Sequence, residues 1–298
     1  MQLTFWQILP IGMMLFSSFF GAGNLIFPPA LGQAAGEHAA LATIGFILTG
    51  VGMPLLGIVA IAKSKSDNPN ALADRVHPMF SMVVTVLAAL TIGPFFAIPR
   101  TGAVSFDMGI RNFLPSEYQI IGLAVYSFLF FLITYFLSIN PGKIVAWVGK
   151  ILSPLLLGTM AILIGCAFID PMGSATKPID GYVETPFFQG FQDGYLTMDL
   201  LAALMFGGMT IDAIRAFGVK DDKDITKTCI YAGFIAAIFL SIIYASLAYM
   251  GVTSASTIGI SSNGGVALAA IAKHYLGLSG SIVLSLIIFF ACLTTSLV

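Results

Sequence analysis

Between Phe16 and Pro29 the chain reads Phe-Ser-Ser-Phe-Phe-Gly-Ala-Gly-Asn-Leu-Ile-Phe-Pro-Pro, and this is where its binding chemistry is concentrated. Gly21, Gly23, Asn24, Pro28 and Pro29 fall within nine residues of a long apolar run. In a helix interior glycine costs about 1 kcal/mol and proline about 3 kcal/mol relative to alanine. Where the helix breaks at bilayer depth, each freed N–H and C=O group needs a partner, because hydrocarbon supplies none. The chemistry on offer is therefore non-covalent. N–H groups at Gly21, Ala22, Gly23 and Asn24 suit an anionic group, and carbonyls just before them suit a cation. Such a break binds a small solute together with its coupling ion.

A second interruption is expected at Met205-Phe206-Gly207-Gly208-Met209-Thr210, flanked by Asp199 and Asp212. It lies five apolar segments after the first, an odd number, so the two broken helices run in opposite directions. Paired interruptions of this kind point to a transporter site at an inverted-repeat interface. Half-helix N-termini offer N–H groups and a positive dipole end to an anion. A zwitterion with one carboxylate and one ammonium matches two such ends. The competing reading is that Gly207-Gly208 only lets two helices approach closely, as small residues do in membranes.

These residues must be held by membrane helices. The 298 residues are 58% hydrophobic and 9% charged, whereas soluble domains carry roughly 25% charged residues. No alternating ten-residue strand pattern of a barrel is present, so the class is an all-α integral membrane protein. The formal net charge of −1 argues against nucleic acid as a partner. Eight segments of spanning length are predicted, near 5–33, 39–62, 79–110, 118–138, 143–169, 191–216, 229–253 and 279–298. Gly93-Pro94 and Pro99 are expected kinks in the third. The stretch 170–190 reads as a loop, and 266–275 as a short helix that cannot span.

With the N-terminus inside, inner loops and helix ends hold Lys63, Lys65, Arg75, Lys143, Lys150, Arg215, Lys220, Lys223 and Lys227. The outer ones hold Arg111, Lys177 and Lys273, and Arg100 is intramembrane. The Lys/Arg bias thus places the N-terminus in the cytoplasm. Trp6 and Trp147 read as interfacial belt residues. The run 220–224 reads as a solvated loop. Cys166, Cys229 and Cys292 form no CxxC and read as inert buried thiols. The chain stops inside an apolar run, which suggests a second half that is cut short.

Phe19-Phe20-Gly21-Ala22-Gly23-Asn24-Leu25-Ile26-Phe27-Pro28-Pro29, with Gly93-Pro94 and Ile98-Pro99-Arg100, resembles the bacterial branched-chain amino acid:cation symporter family (BrnQ type). The resemblance runs over the whole chain and implies the five-plus-five inverted-repeat fold of the leucine transporter, with broken first and sixth helices. Residues 1–169 would form the first repeat and 191–298 an incomplete second one. The implied activity is uptake of leucine, isoleucine and valine with Na⁺ by alternating access, across the bacterial inner membrane. It implies that Gly21, Ala22 and Gly23 hold the substrate carboxylate, with Asn24 beside them. Phe206, Gly207 and Gly208 would contact the amino group and side chain. It also implies a Na⁺ site from the Ser17 and Phe20 carbonyls and the pattern Ala291-Cys292-Leu293-Thr294-Thr295, with Ala291, Thr294 and Thr295 as ligands. Hydroxyls and carbonyls suit a hard cation without a buried carboxylate, although Thr hydroxyls in helices commonly bond back to their own turn. No other cofactor and no obligatory protein partner is implied.

Arg100 and Asp107 lie two turns apart on one face of the third segment and read as a structural pair or a gate. Asp199 and Asp212, straddling the expected second break, read as gate or interfacial residues, and Asp212 and Arg215 are spaced to pair. A channel is disfavoured by the lack of a repeated filter sequence. An enzyme is disfavoured by the lack of HExxH, Gly-x-Ser-x-Gly or a P-loop, and by His38, His77 and His274 being scattered in loops. An inactive, shortened transporter is the remaining alternative.

Overall fold

The computed structural model describes residues 3–64, 73–74, 76–139 and 145–297. Lys65, Arg75 and Lys143, three of the charges used to orient the chain, lie outside them. The described residues form twelve α-helices joined by short 3₁₀ and π-helical turns, with no strand among them.

The first apolar run forms α1 (Phe5–Phe19) and α2 (Ala22–Ala35), separated at Phe20-Gly21. A 3₁₀ turn, Gly36–His38, leads into α3 (Ala39–Ile47), a π-helical turn at Leu48–Gly52 and α4 (Met53–Ser64). The next pair is α5 (Pro78–Leu90) and α6 (Ala97–Gly109). Between them Gly93 has ψ −116° and Pro94 follows, so the helix breaks where the Gly-Pro pair was expected to kink it. Pro99 sits in the first turn of α6, where a proline is tolerated, and makes no separate kink. Then come α7 (Gln119–Ser138), a π-helical stretch Val145–Leu152 and α8 (Ser153–Ile169).

The last third holds α9 (Pro186–Tyr195), α10 (Asp199–Ala216), α11 (Asp222–Ile258) and α12 (Gly264–Leu297). In α12, Gly277 at φ 58° and ψ −133° divides a short first part from a long second part, as the separation of 266–275 from 279–298 anticipated. Six helical stretches are long and apolar enough to cross a bilayer, and a seventh is formed if the bent pair α9–α10 is one span. The expectation was eight. The difference lies at the start, where α1 alone has 15 residues and α2 runs through Gly36–His38 into α3 and α4. The run 220–224 is also corrected: Asp221 accepts the Asp224 N–H at 3.3 Å and caps α11, so the charged residues form its first turn.

The core is apolar and centred on α11, which packs against α2, α1, α4 and α12. α2 is seated by backbone contact. A Cβ on Gly32 would stand 2.0 Å from the Ala248 carbonyl oxygen, on Gly251 2.2 Å from that of Pro29, and on Gly264 1.8 Å from that of Ile26. Only glycine allows helices so close, the usual solution in membranes. Buried Gln33 locks the C-terminal end of α2: its Nε2 donates to Ser254 Oγ (3.0 Å) and the Gly259 carbonyl (3.2 Å), and its Oε1 accepts the Ser261 N–H (2.9 Å). The opposite flank, α5 and α7, turns Met79, Met82, Leu87, Ile120, Ile121 and Phe128 outward, as a lipid-facing surface does.

Candidate functional site

The first break follows directly from its sequence. Phe20, at φ −80° and ψ 80°, ends α1, and Gly21 is extended at φ −102° and ψ −171°. The Gly21 N–H turns back to the Phe19 carbonyl (2.9 Å), so it does not close the regular bond on Ser17. The first helical bond of α2 runs from Leu25 N–H to the Gly21 carbonyl at 3.3 Å. The N–H groups of Ala22, Gly23 and Asn24 therefore stand at a helix start, where no intrahelical acceptor exists. Pro28 and Pro29 lie inside α2 and withhold the N–H groups that would otherwise bond the Asn24 and Leu25 carbonyls. Gly21 has a backbone any residue adopts. Its need for glycine is spatial, since a Cβ there would lie 3.1 Å from Thr295 Oγ1.

The second break is not where it was expected. α10 runs unbroken through Phe206, Gly207 and Gly208. A Cβ on Gly207 would stand 2.8 Å from the Ile61 Cβ, so this glycine brings α10 against α4 and the packing reading is the correct one. Phe206 is buried with its ring edge-on to Phe19, centroids 5.4 Å apart. The interruption falls at residues 196–198, between α9 and α10, whose axes differ by 44°. Met198 there is left-handed, at φ 63° and ψ 14°. No glycine or proline marks it, which is why it could not be read from the sequence.

The two breaks meet. Asn24 Nδ2 donates to Asp199 Oδ2 at 2.6 Å and also to the Tyr244 hydroxyl of α11. Asn24, Asp199 and Tyr244 are 3%, 5% and 0% exposed, so this contact is sealed from solvent. Tyr244 is held by Phe20, stacked at 6.1 Å, and by Phe46, edge-on at 5.2 Å. Asp199 opens α10, where the positive end of the helix favours a carboxylate. Among the described residues no Lys, Arg or His forms an ion pair with it. A buried carboxylate with only neutral donors is costly, and in a membrane it marks function before structure. The sequence reading placed Asp199 at a gate; the structure places it at the junction itself.

On the other side of Gly21 lies α12. Thr295 Oγ1 is buried and has no hydrogen-bond partner. Thr294 Oγ1 donates to the carbonyls of Phe290 (2.9 Å) and Ala291 (3.0 Å) in its own helix, which leaves its lone pairs available. The Ser17 hydroxyl bonds the Ser153 hydroxyl at 2.6 Å and so fixes the end of α1 against the start of α8. An orphaned hydroxyl beside an unwound backbone, among neutral oxygens, fits a small hard monovalent cation better than a transition metal.

The remaining charges do not join the site. Arg100 is exposed with its guanidinium 5.7 Å from the Phe96 ring centroid, and Asp107 is exposed and paired with Arg111 at 3.2 Å. The expected Arg100–Asp107 pair is therefore not formed. Asp212 is exposed and, with the break moved to 196–198, no longer straddles it.

Two interrupted helical stretches joined by buried polar side chains, inside a scaffold of apolar helices of membrane-crossing length, define an all-helical multi-pass membrane protein. The chain belongs to the family described as "Branched-chain amino acid transport protein", whose model matches residues 5–298. It is 47% identical over 289 residues to the branched-chain amino acid permease BrnQ of Bacillus subtilis (strain 168), covering 97% of this chain and 66% of that protein. It is also 47% identical over 287 residues to the permease BraB of the same organism, covering 96% of this chain and 64% of the relative. To the BrnQ permease of Escherichia coli (strain K12) it is 38% identical over 295 residues, with 99% and 66% covered. The chain thus spans about two thirds of the length of these curated relatives.

Proposed function

We propose that this chain carries the binding site of a secondary transporter for leucine, isoleucine and valine, coupled to Na⁺ and working by alternating access. The observation that carries the reading is the junction of the two breaks at Asn24 and Asp199. The substrate carboxylate lies against the N–H groups of Ala22 and Gly23, at the positive end of α2. Its ammonium group replaces the Asn24 amide as donor to Asp199. The branched side chain packs among the aromatic rings of Phe19, Phe20 and Phe206. Na⁺ takes the Ser17, Phe20 and Ala291 carbonyls with the Thr294 and Thr295 hydroxyls, tying α1 to α12 and ordering the backbone that the substrate needs. Residues 1–169 and 191–298 serve as inverted repeats, and the N-terminus faces the cytoplasm of a bacterial inner membrane.

Support comes from the family membership, from the unpartnered Thr295 hydroxyl beside Gly21, and from the buried carboxylate without a cation. The test is binding and vesicle uptake of labelled isoleucine, with Na⁺ or with choline in its place. Saturable, Na⁺-dependent binding that the Thr294→Ala, Thr295→Ala double variant loses is the expected result. Binding unchanged by choline, or unchanged in the double variant, would overturn the ion assignment.

A further inference from the structure

The end of α4 and the first turns of α11 flank an open surface cavity of about 290 Å³ lined by Lys63, Asp222, Lys223, Thr226, Lys227 and Ile230. It exists because Thr226 Oγ1 donates to the Ala62 carbonyl at 3.1 Å, which fastens the end of α4 to the side of α11. Three ammonium groups share the lining with one carboxylate, a local balance of 3 − 1 = +2. Among the described residues none of these lysines is in an ion pair, and Lys227 instead lies 5.9 Å from the Tyr231 ring centroid. The nearby Asp221 carboxylate is engaged in capping the helix. Asp221 as cap, with Asp222 and Asp224 in the first turn, already meets the positive end of α11, and Asp224 lies outside the lining.

Directly below the cavity the surface changes character. Tyr231, Phe234, Ile238 and Ile242 are exposed and spaced 3, 4 and 4 residues apart, so they form one apolar stripe along α11. Leu56, two turns before Lys63 on the same face of α4, is also exposed. A cationic pocket at the mouth of an apolar strip complements an anionic head on a hydrocarbon tail. We propose that this cavity binds the phosphodiester headgroup of an anionic phospholipid, whose acyl chains run down the α11 stripe. A free phosphate would use the lysines and leave the stripe without a role, which is why the lipid is the occupant assigned. The bound headgroup would bridge α4 and α11 through Lys63 on one side and Lys223 and Lys227 on the other.

The test is a titration of the purified full chain in detergent with phosphatidylglycerol, phosphatidylcholine and inorganic phosphate, read by native mass spectrometry. The variants are a cavity triple (Lys63→Gln, Lys223→Gln, Lys227→Gln) and a control triple of equal charge change (Lys150→Gln, Lys177→Gln, Lys273→Gln). A lysine near an anionic lipid surface contributes about fivefold. Wild type and the control are expected to prefer phosphatidylglycerol over phosphatidylcholine at least tenfold, and the cavity triple less than threefold. No preference in wild type, or full preference in the cavity triple, would overturn the proposal. So would inorganic phosphate binding as tightly as the lipid. If the cavity triple does not fold, the wild type decides through salt: phosphatidylglycerol binding must weaken between 50 and 300 mM NaCl while phosphatidylcholine binding does not.

Discussion

Asp199→Asn separates the carboxylate's charge from its shape. In the structure Asn24 donates to Asp199 Oδ2 at 2.6 Å, and an asparagine Oδ1 can accept the same bond. The variant also removes a buried ionisable group that no cation among the described residues balances, and whose charged form is expensive to bury. Thermal stability without ligand is therefore expected to be unchanged or higher. Binding should suffer instead. A hydrogen bond to a charged group is worth about 1.5–3 kcal/mol against about 1 kcal/mol for a neutral one. Exchanging the ammonium–carboxylate contact for an ammonium–amide one, a loss of about 0.5–2 kcal/mol, should then weaken isoleucine binding by about 3- to 30-fold. A ligand without the amino group supplies the control: the wild type should discriminate strongly between leucine and 4-methylpentanoate, and the variant should not. The assay is equilibrium binding in detergent beside a thermal melt of the same sample. Isoleucine binding within twofold of wild type would refute the placement of the ammonium, and parallel loss of stability and binding would show that Asp199 is a structural joint only.

Thr295→Val keeps the shape of a buried side chain whose hydroxyl has no partner, so stability without Na⁺ should hold or rise by up to about 1 kcal/mol. Stabilisation by added Na⁺, read as a shift in melting temperature, should disappear. Gly21→Ala brings a Cβ within 3.1 Å of that hydroxyl and should weaken both Na⁺ and isoleucine binding, read in the same melts. Gly207→Ala places a Cβ 2.8 Å from Ile61 and should destabilise by about 1–3 kcal/mol, with recovery by Ile61→Ala, because its role is close packing. Gln33→Leu strands the Ser261 N–H and the Gly259 carbonyl and should cost about 1–3 kcal/mol in thermal unfolding.

The sequence disclosed those features that residue chemistry enforces. Gly21 with Pro28-Pro29 and Gly93-Pro94 each forbid or weaken a regular helix locally, and each marks a break or a distortion in the structure. The second break was hidden because nothing local compels it. Leu196, Thr197 and Met198 include no glycine or proline, and Met198 is left-handed with an exposed side chain and its N–H on the Tyr195 carbonyl at 3.1 Å. Gly207-Gly208 misled for the complementary reason: glycine serves unwinding and close approach alike, and only the position of Ile61 distinguishes them. Asn24 and Asp199 are 175 residues apart, a pairing no sequence spacing could suggest. Asp221 did carry a legible helix-start signal, masked by the alternating charges around it.

The seating of α2 sets which parts of the molecule hold together. Its carbonyls touch glycine backbones of α11 and α12 with no side chain between to flex, and Gln33 rivets its C-terminal end. α1 is moored by backbone contact as well, a Cβ on Gly149 standing 2.1 Å from the Pro10 carbonyl oxygen, and Ser153 Oγ adds bonds to the Ser17 hydroxyl and the Met13 carbonyl. α2 with the facing turns of α11 and α12 thus behaves as one unit, and the Asn24–Asp199 bond lies where that unit meets α10.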